Sequence, residues 1–269
     1  MANRTQSIYI TGDSPLVEEY AAALKTAGAN VSVRPNLETP LPHPGVHRTP
    51  ATRRRTTVRS PKQTSLALEL TVLSPVEKRQ NLEMLSRTLG PAIPIITASV
   101  TTTTTRQSGW VTHPERVVGI GAFPSLLRGA LIELAPSPVT DRRTLDSAGG
   151  LVKLLGKESA RVGDAVGLVM PRILCTLANE AFFALSDQLA SPTDIDTAMK
   201  LGTNYPLGPI EWAGNIGYRF IVAVLSALHE ELGDERYRIS PLLRRAAELG
   251  RIPVPATRPD NPARMGAGS

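Results

Sequence analysis

Apolar positions along this chain follow two different periods. Up to about Ser137, short apolar runs alternate with amphipathic stretches, whereas beyond Gly167 the spacing is helical throughout. Ser7–Ile10 reads as a strand running into Thr11-Gly12-Asp13, followed by a helix from Leu16 to Ala27 that Gly28 ends. Val31–Val33, Leu66–Leu73, Ile93–Ile96, Val117–Ile120 and Leu131–Leu134 read as further strands. Helices are predicted over Pro75–Leu89 and Asp141–Leu155. Strands alternating with helices imply a parallel sheet with βαβ crossovers.

In the second half, Val169, Ile173, Leu177, Ala181, Leu185 and Leu189 recur every fourth residue and predict one long helix with an apolar stripe. Ser191-Pro192-Thr193-Asp194 opens the next helix, with an N-cap serine, a proline behind it and an acid at the third position. That helix closes near Gly202. Ile221, Leu225, Leu228 and Leu232 line another, and Ser240-Pro241 starts a last one that stops at Gly250. The expected fold class is α/β then all-α, with a parallel-sheet domain over residues 1-160 and a helical domain over 161-250.

Charge changes this picture in one place. The chain has 269 residues and a net charge of +6. Residues 34-65 carry seven basic side chains, among them Arg34 and the run Arg53-Arg54-Arg55, against the single acid Glu38. Six prolines and few apolar residues share that stretch, so it is expected to be a disordered basic loop interrupting the first domain. The proline-rich tail 251-269 is expected to be disordered as well. Arginine clusters can bind phosphate or nucleic acid. Nucleic acid is disfavoured here, because no aromatic interleaving or recognition helix accompanies the charge. No apolar run approaches a membrane span, the N-terminus lacks a signal-peptide core, and the expectation is a cytoplasmic protein. One cysteine, Cys175, excludes an internal disulfide framework and a Cys-rich metal site, and no metal is expected.

The first strand–turn–helix unit has the form of a dinucleotide-binding turn with most of its fingerprint missing. Gly12-Asp13-Ser14-Pro15-Leu16-Val17 keeps only the first glycine of G-x-G-x-x-G. Ser14 stands where the backbone approaches phosphate, and Asp13 adds a negative charge beside it. Where a ribose-binding carboxylate ends the second strand in such folds, this chain has Arg34, which could instead meet a phosphorylated ribose. Gly12, Ser14 and Arg34 are therefore the candidate cofactor-binding residues, on a Rossmann-like scaffold that favours no bound dinucleotide.

The helical half carries a specific motif. Residues 193 to 211 read Thr-Asp-Ile-Asp-Thr-Ala-Met-Lys-Leu-Gly-Thr-Asn-Tyr-Pro-Leu-Gly-Pro-Ile-Glu, which resembles the D-I-D-x-A-M-x-x-G-x-x-x-P-x-G-P of the 3-hydroxyacyl-CoA dehydrogenase family (3-hydroxybutyryl-CoA dehydrogenases included). Glu231–Tyr237, Ser240–Leu243 and Pro114–Ile120 match as well, and the resemblance covers roughly Ile8–Val33 and Leu66–Gly250. It implies an N-terminal NAD-binding domain of dehydrogenase type and a C-terminal dimerisation domain, hence a homodimer. It also implies NAD(H) or NADP(H) as cofactor and an acyl-CoA or acyl-carrier ligand in fatty-acid metabolism.

The family's catalytic set is carried over only in part. Gly121 stands at the position of the family's histidine base, Val100 at its serine and Pro171 at its asparagine, while Glu133 is retained twelve residues beyond Gly121. Glycine accepts no proton, valine makes no hydrogen bond, and proline has neither a side-chain amide nor an N–H. None of His43, His47, His113 and His229 is placed to substitute. His43 and His47 fall in the basic loop, His113 precedes a strand, and His229 is expected deep in the helical half. Thr101, in the run of five threonines, and Asn204, before Pro206-Leu207-Gly208-Pro209, are candidate substrate-proximal residues, although both also suit structural roles. The leading expectation is a pseudoenzyme that binds acyl thioesters or a partner enzyme. The alternatives are an active divergent NAD(P)-dependent oxidoreductase using Glu133, and polyanion binding through the basic loop.

Overall fold

The computed structural model describes residues 6–36 and 64–253. The expected disorder of the basic loop 34-65 and of the tail 251-269, and the Arg53-Arg54-Arg55 cluster, lie outside the described residues apart from the ends of those segments.

Among the described residues, seven strands form one sheet: β1 (Ser7–Gly12), β2 (Asn30–Pro35), β3 (Leu66–Leu70), β4 (Ile95–Ala98), β5 (Val117–Ile120), β6 (Leu131–Pro136) and β7 (Glu158–Arg161), in the order β2-β1-β3-β4-β5-β6-β7. β1 to β5 are parallel, β6 runs antiparallel to β5, and β7 pairs parallel with β6. The strand order reverses at β1/β3, where a doubly wound sheet opens a crevice at its carboxyl edge. The helices α1 (Ser14–Thr26), α2 (Pro75–Thr88), α3 (Thr104–Ser108) and α4 (Arg142–Leu154) belong to this half. α5 (Met170–Ser186), α6 (Pro192–Thr203), α7 (Pro209–Ile216), α8 (Tyr218–Leu232) and α9 (Pro241–Leu249) follow. One continuous apolar core joins the two halves. Phe123 meets Phe220 edge-on across them, with ring centroids 6.1 Å apart.

Three sequence expectations needed correction. The strand expected to reach Leu73 stops at Leu70, because the amides of Thr71, Val72 and Leu73 turn away to carboxylates of Glu69 and Asp13. β7 was not expected: its sequence, Glu-Ser-Ala-Arg, is polar because this edge strand has a neighbour on one side only. The buried side chains of α5 include Pro171, Leu174, Cys175, Ala178, Ala181 and Phe182; of the expected stripe Ala181 is buried, whereas Val169, just before the helix, and Ile173 are about half exposed. A strict period of four drifts around a helix of 3.6 residues per turn, so the expected stripe leaves the core side.

The motif at residues 193 to 211 has a local physical reason. The Asp196 carboxylate accepts from the amides of Ile210 (2.8 Å) and Glu211 (3.0 Å), and so caps the N-terminus of α7 from the neighbouring helix α6. Such a cap contributes about 1 kcal/mol. Gly208 must be glycine, since a β-carbon there would overlap the Asp196 carboxyl carbon at 2.2 Å. Lys200 pairs with Glu211 across the same turn at 2.5 Å.

Candidate functional site

The turn between β1 and α1 is built around Asp13. Gly12 has φ +137°, and a β-carbon on it would lie 2.4 Å from the Leu70 carbonyl carbon, so only glycine lets β1 pass this close to the end of β3. The Asp13 Oδ2 accepts from the amides of Val72 (2.7 Å) and Leu73 (2.9 Å), and Oδ1 accepts from Asn36 Nδ2 at 3.3 Å. Asn36 also donates to Thr71 Oγ1, and Asn81 donates to both Asn36 Oδ1 and Thr71 Oγ1. This network stitches together the carboxyl ends of β1, β2 and β3.

Beyond it lies a cleft of about 490 Å³, lined by Asp13, Ser14, Glu77, Tyr218, Arg219 and Phe220 among others. A dinucleotide's pyrophosphate rests on the first turn of the helix after β1, against free N–H groups. Here Pro15 removes one N–H, the Ser14 hydroxyl donates to Glu18 at 2.8 Å, and the Asp13 carboxylate is held by Asn36 and the amides of Val72 and Leu73 beside a cleft that Glu77 and Arg219 also line. Burial raises the pKa of Glu77, and the Asp13 charge adds to the effect. Residues of this kind do not fit a dinucleotide's pyrophosphate.

The positions that the resemblance assigns to catalysis lie elsewhere. Val100, Gly121, Glu133 and Pro171 are all buried, and neither this cleft nor its neighbour is lined by any of them. A β-carbon on Gly121 would sit 3.3 Å from Glu133 Oε2, so the two positions are neighbours across β5 and β6. The Glu133 carboxylate binds the amides of Val169 (3.2 Å) and Met170 (2.8 Å) at the start of α5, where an anion is favoured. Among the described residues His113 pairs with Glu115 at 3.3 Å, and neither His113 nor His229 lines either cleft. His229, expected deep in the helical half, is exposed near the end of α8.

The remaining candidates are placed as follows. Ser14 lines the first cleft. Arg34 is exposed on β2 and approaches the buried Tyr9 hydroxyl, whose pKa burial raises and Arg34 lowers; it lines neither cleft. Thr101 lines the second cleft, but its hydroxyl is committed to the Val72 carbonyl at 3.0 Å. Asn204 is exposed and ends α6 in the left-handed conformation (φ 56°), away from both clefts.

Sequence reasoning missed two features. A buried ion pair joins Lys78 Nζ to Glu69 Oε2 at 2.6 Å, with Thr97 and the Ala98 carbonyl completing the lysine's partners. Its signal was available, because Glu69 interrupts an apolar strand and Lys78 falls in register with Leu82, Leu85 and Leu89. The second feature is the neighbouring cleft of about 550 Å³, whose arginines come from three separate helices and leave no sequence pattern.

Residues 167–258 match the family model described as 3-hydroxyacyl-CoA dehydrogenase, C-terminal domain. A 3-hydroxybutyryl-CoA dehydrogenase of Bradyrhizobium diazoefficiens is 32% identical over 185 residues, covering 69% of this chain and 63% of that protein. One from Clostridioides difficile is 36% identical over 142 residues, covering 52% and 50%. The chain thus spans between half and two thirds of the length of these curated relatives. Among solved structures, (S)-3-hydroxybutyryl-CoA dehydrogenase from Ralstonia eutropha superposes with a TM-score of 0.70 at 25% identity, covering 91% of this chain and 94% of that one. FadB2 of M. tuberculosis shares the fold, with a TM-score of 0.76 at 20% identity over 91% and 94%. The C-terminal match and these likenesses in sequence and fold support the 3-hydroxyacyl-CoA dehydrogenase family, whose C-terminal domain residues 167–258 match.

Proposed function

We propose that this protein uses the dehydrogenase fold as a binding scaffold, for an acyl thioester or a partner enzyme, and has given up ordinary hydride transfer. The observation that carries the reading is the fate of Glu133. With Gly121 beside it there is no imidazole to orient, and its carboxylate is spent on the first amides of α5. A general base must reach the proton that it takes, and here neither a base nor the serine and asparagine hydrogen bonds are present at the matched positions. The Asp13-centred turn supports the absence of NAD(H) or NADP(H) on independent grounds.

Calorimetric titration with NADH and then NADPH, followed by turnover assays on acetoacetyl-CoA, tests the reading. The expected result is no binding of either dinucleotide and no turnover. An active divergent NAD(P)-dependent oxidoreductase is the rival reading, favoured by the cleft that persists beside α1. Micromolar dinucleotide binding, with turnover that Glu133→Gln abolishes, would establish the rival and end the scaffold reading.

We also propose a homodimer through the C-terminal helices. Val169 at the N-cap of α5 and Met170 and Ile173 on it are 41–50% exposed, and α6 buries no residue and presents Leu201 at 83% exposure. Exposed apolar positions on these two helices are the candidates for a contact surface. Sedimentation velocity is expected to give a dimer that Ile173→Lys with Leu201→Lys converts to monomer. An unsubstituted monomer at micromolar concentration would refute it.

A further inference from the structure

The second cleft has a chemistry that hydride transfer does not explain. It lies between the β3–α2 connection, the threonine run before α3, and the outer faces of α8 and α9. Its volume of about 550 Å³ is that of a small-molecule site. Arg106 of α3, Arg219 of α8 and Arg244 of α9, all exposed, line it from three helices, together with the exposed Glu230 and Glu248. None of the five takes part in an ion pair among the described residues. Arg244 and Glu248 are one helical turn apart on α9 and still leave each other free, so the guanidinium groups remain available to a ligand.

Between the charges the walls are apolar: Val72, Val222, Ala223, Ala227 and the ring of Trp110. Three guanidinium groups against two carboxylates leave one net positive charge. A single carboxylate balances that charge and fits the guanidinium fork bidentately. A phosphomonoester, with a charge nearer −2 at neutral pH, overfills it. The apolar wall demands a hydrophobic body behind the acid group. We infer that the Arg106–Arg219–Arg244 cleft is a binding site for an organic monocarboxylate with an apolar or aromatic body. This inference does not rest on the scaffold reading, because no matched catalytic position lines the cleft.

Trp110 makes the test direct. Of the two tryptophans, Trp212 packs at a tilt against Tyr205 (ring centroids 5.4 Å apart) and does not line the cleft, so Trp212→Phe leaves Trp110 as the sole reporter. The full chain is titrated with 4-phenylbutyrate, with its neutral amide, and with inorganic phosphate, by fluorescence and by calorimetry on the unsubstituted protein. The acid is expected to bind saturably, with its amide and phosphate each weaker by about tenfold or more. Arg106→Gln and Arg244→Gln are each expected to weaken the acid by about tenfold. Arg245→Gln, exposed on α9 and outside the cleft, is expected to leave affinity unchanged. The inference is overturned by any of four results: no saturable binding in the millimolar range, equal binding of the amide, equal binding of phosphate, or an equal loss with Arg245→Gln.

Discussion

A β-carbon on Gly121 would lie 3.2 Å from Glu133 Cβ and 3.3 Å from its Oε2, so the glycine opens just enough room for the glutamate to reach the start of α5. At the two positions that the family resemblance assigns to a histidine and its orienting carboxylate, Gly121 leaves space and Glu133 accepts from the first amides of α5. Returning a histidine to position 121 must therefore crowd Glu133 and disturb its bonds to Val169 and Met170. Gly121→His is expected to cost about 1–3 kcal/mol by overpacking and to restore no turnover. Urea unfolding and an NADH assay with acetoacetyl-CoA read the two effects separately.

Glu133→Gln keeps one acceptor but loses the charge at the helix start. It is expected to destabilise the fold by about 1–2 kcal/mol, seen as a lower urea midpoint with an unchanged m-value. A neutral substitution would mean that the cap contributes nothing in solution.

Asp196 and Gly208 form one unit, since the carboxylate occupies the space that a side chain at 208 would need. Gly208→Ala alone is expected to cost about 1–3 kcal/mol. Asp196→Ala alone is expected to cost about 1–2 kcal/mol through the lost cap. Together they should cost less than the sum, because removing Asp196 also relieves the clash; a double-mutant cycle with no coupling would contradict the geometry.

The Lys78–Glu69 pair is almost wholly buried. Lys78→Met leaves the Glu69 charge without its partner and is expected to cost about 3–5 kcal/mol. Replacing both, as Glu69→Gln with Lys78→Met, should recover part of that loss, measured by chemical denaturation at neutral pH.

Glu77 supplies a pH dependence whose sign follows from its raised pKa. Burial, with Asp13 second, makes the folded state hold the proton more tightly than the unfolded chain does. The favourable contribution is full below the unfolded carboxyl value and is lost as pH rises through the folded one. Glu77→Gln is therefore expected to stabilise the protein at neutral pH, with the gain vanishing below about pH 4. Thermal melts across that range decide it, and a gain that persisted into acid would assign the effect to something other than titration.

Local information was enough for much of this molecule. Apolar periodicity, the N-cap serine at 191 and the stop at Gly250 place most helices and strands to within a few residues, because propensity, capping and patterning act over a few neighbours along the chain. The run 193 to 211 identified the family for a related reason: a cap between adjacent helices forces an aspartate and a glycine at fixed spacing. That Gly121, Val100 and Pro171 depart from the family's pattern could likewise be read by setting the sequence against that pattern. What tertiary structure decided was where freed groups go. Asp13 was expected to disturb a phosphate, and instead holds the β3–α2 connection from 59 residues away in sequence. Glu133, legible in the sequence as the retained family carboxylate, caps a helix 37 residues on. The arginine cleft is assembled from three helices spread between residues 106 and 244. Partners this distant are chosen by the packing of the whole core, and no periodicity in a single chain records them.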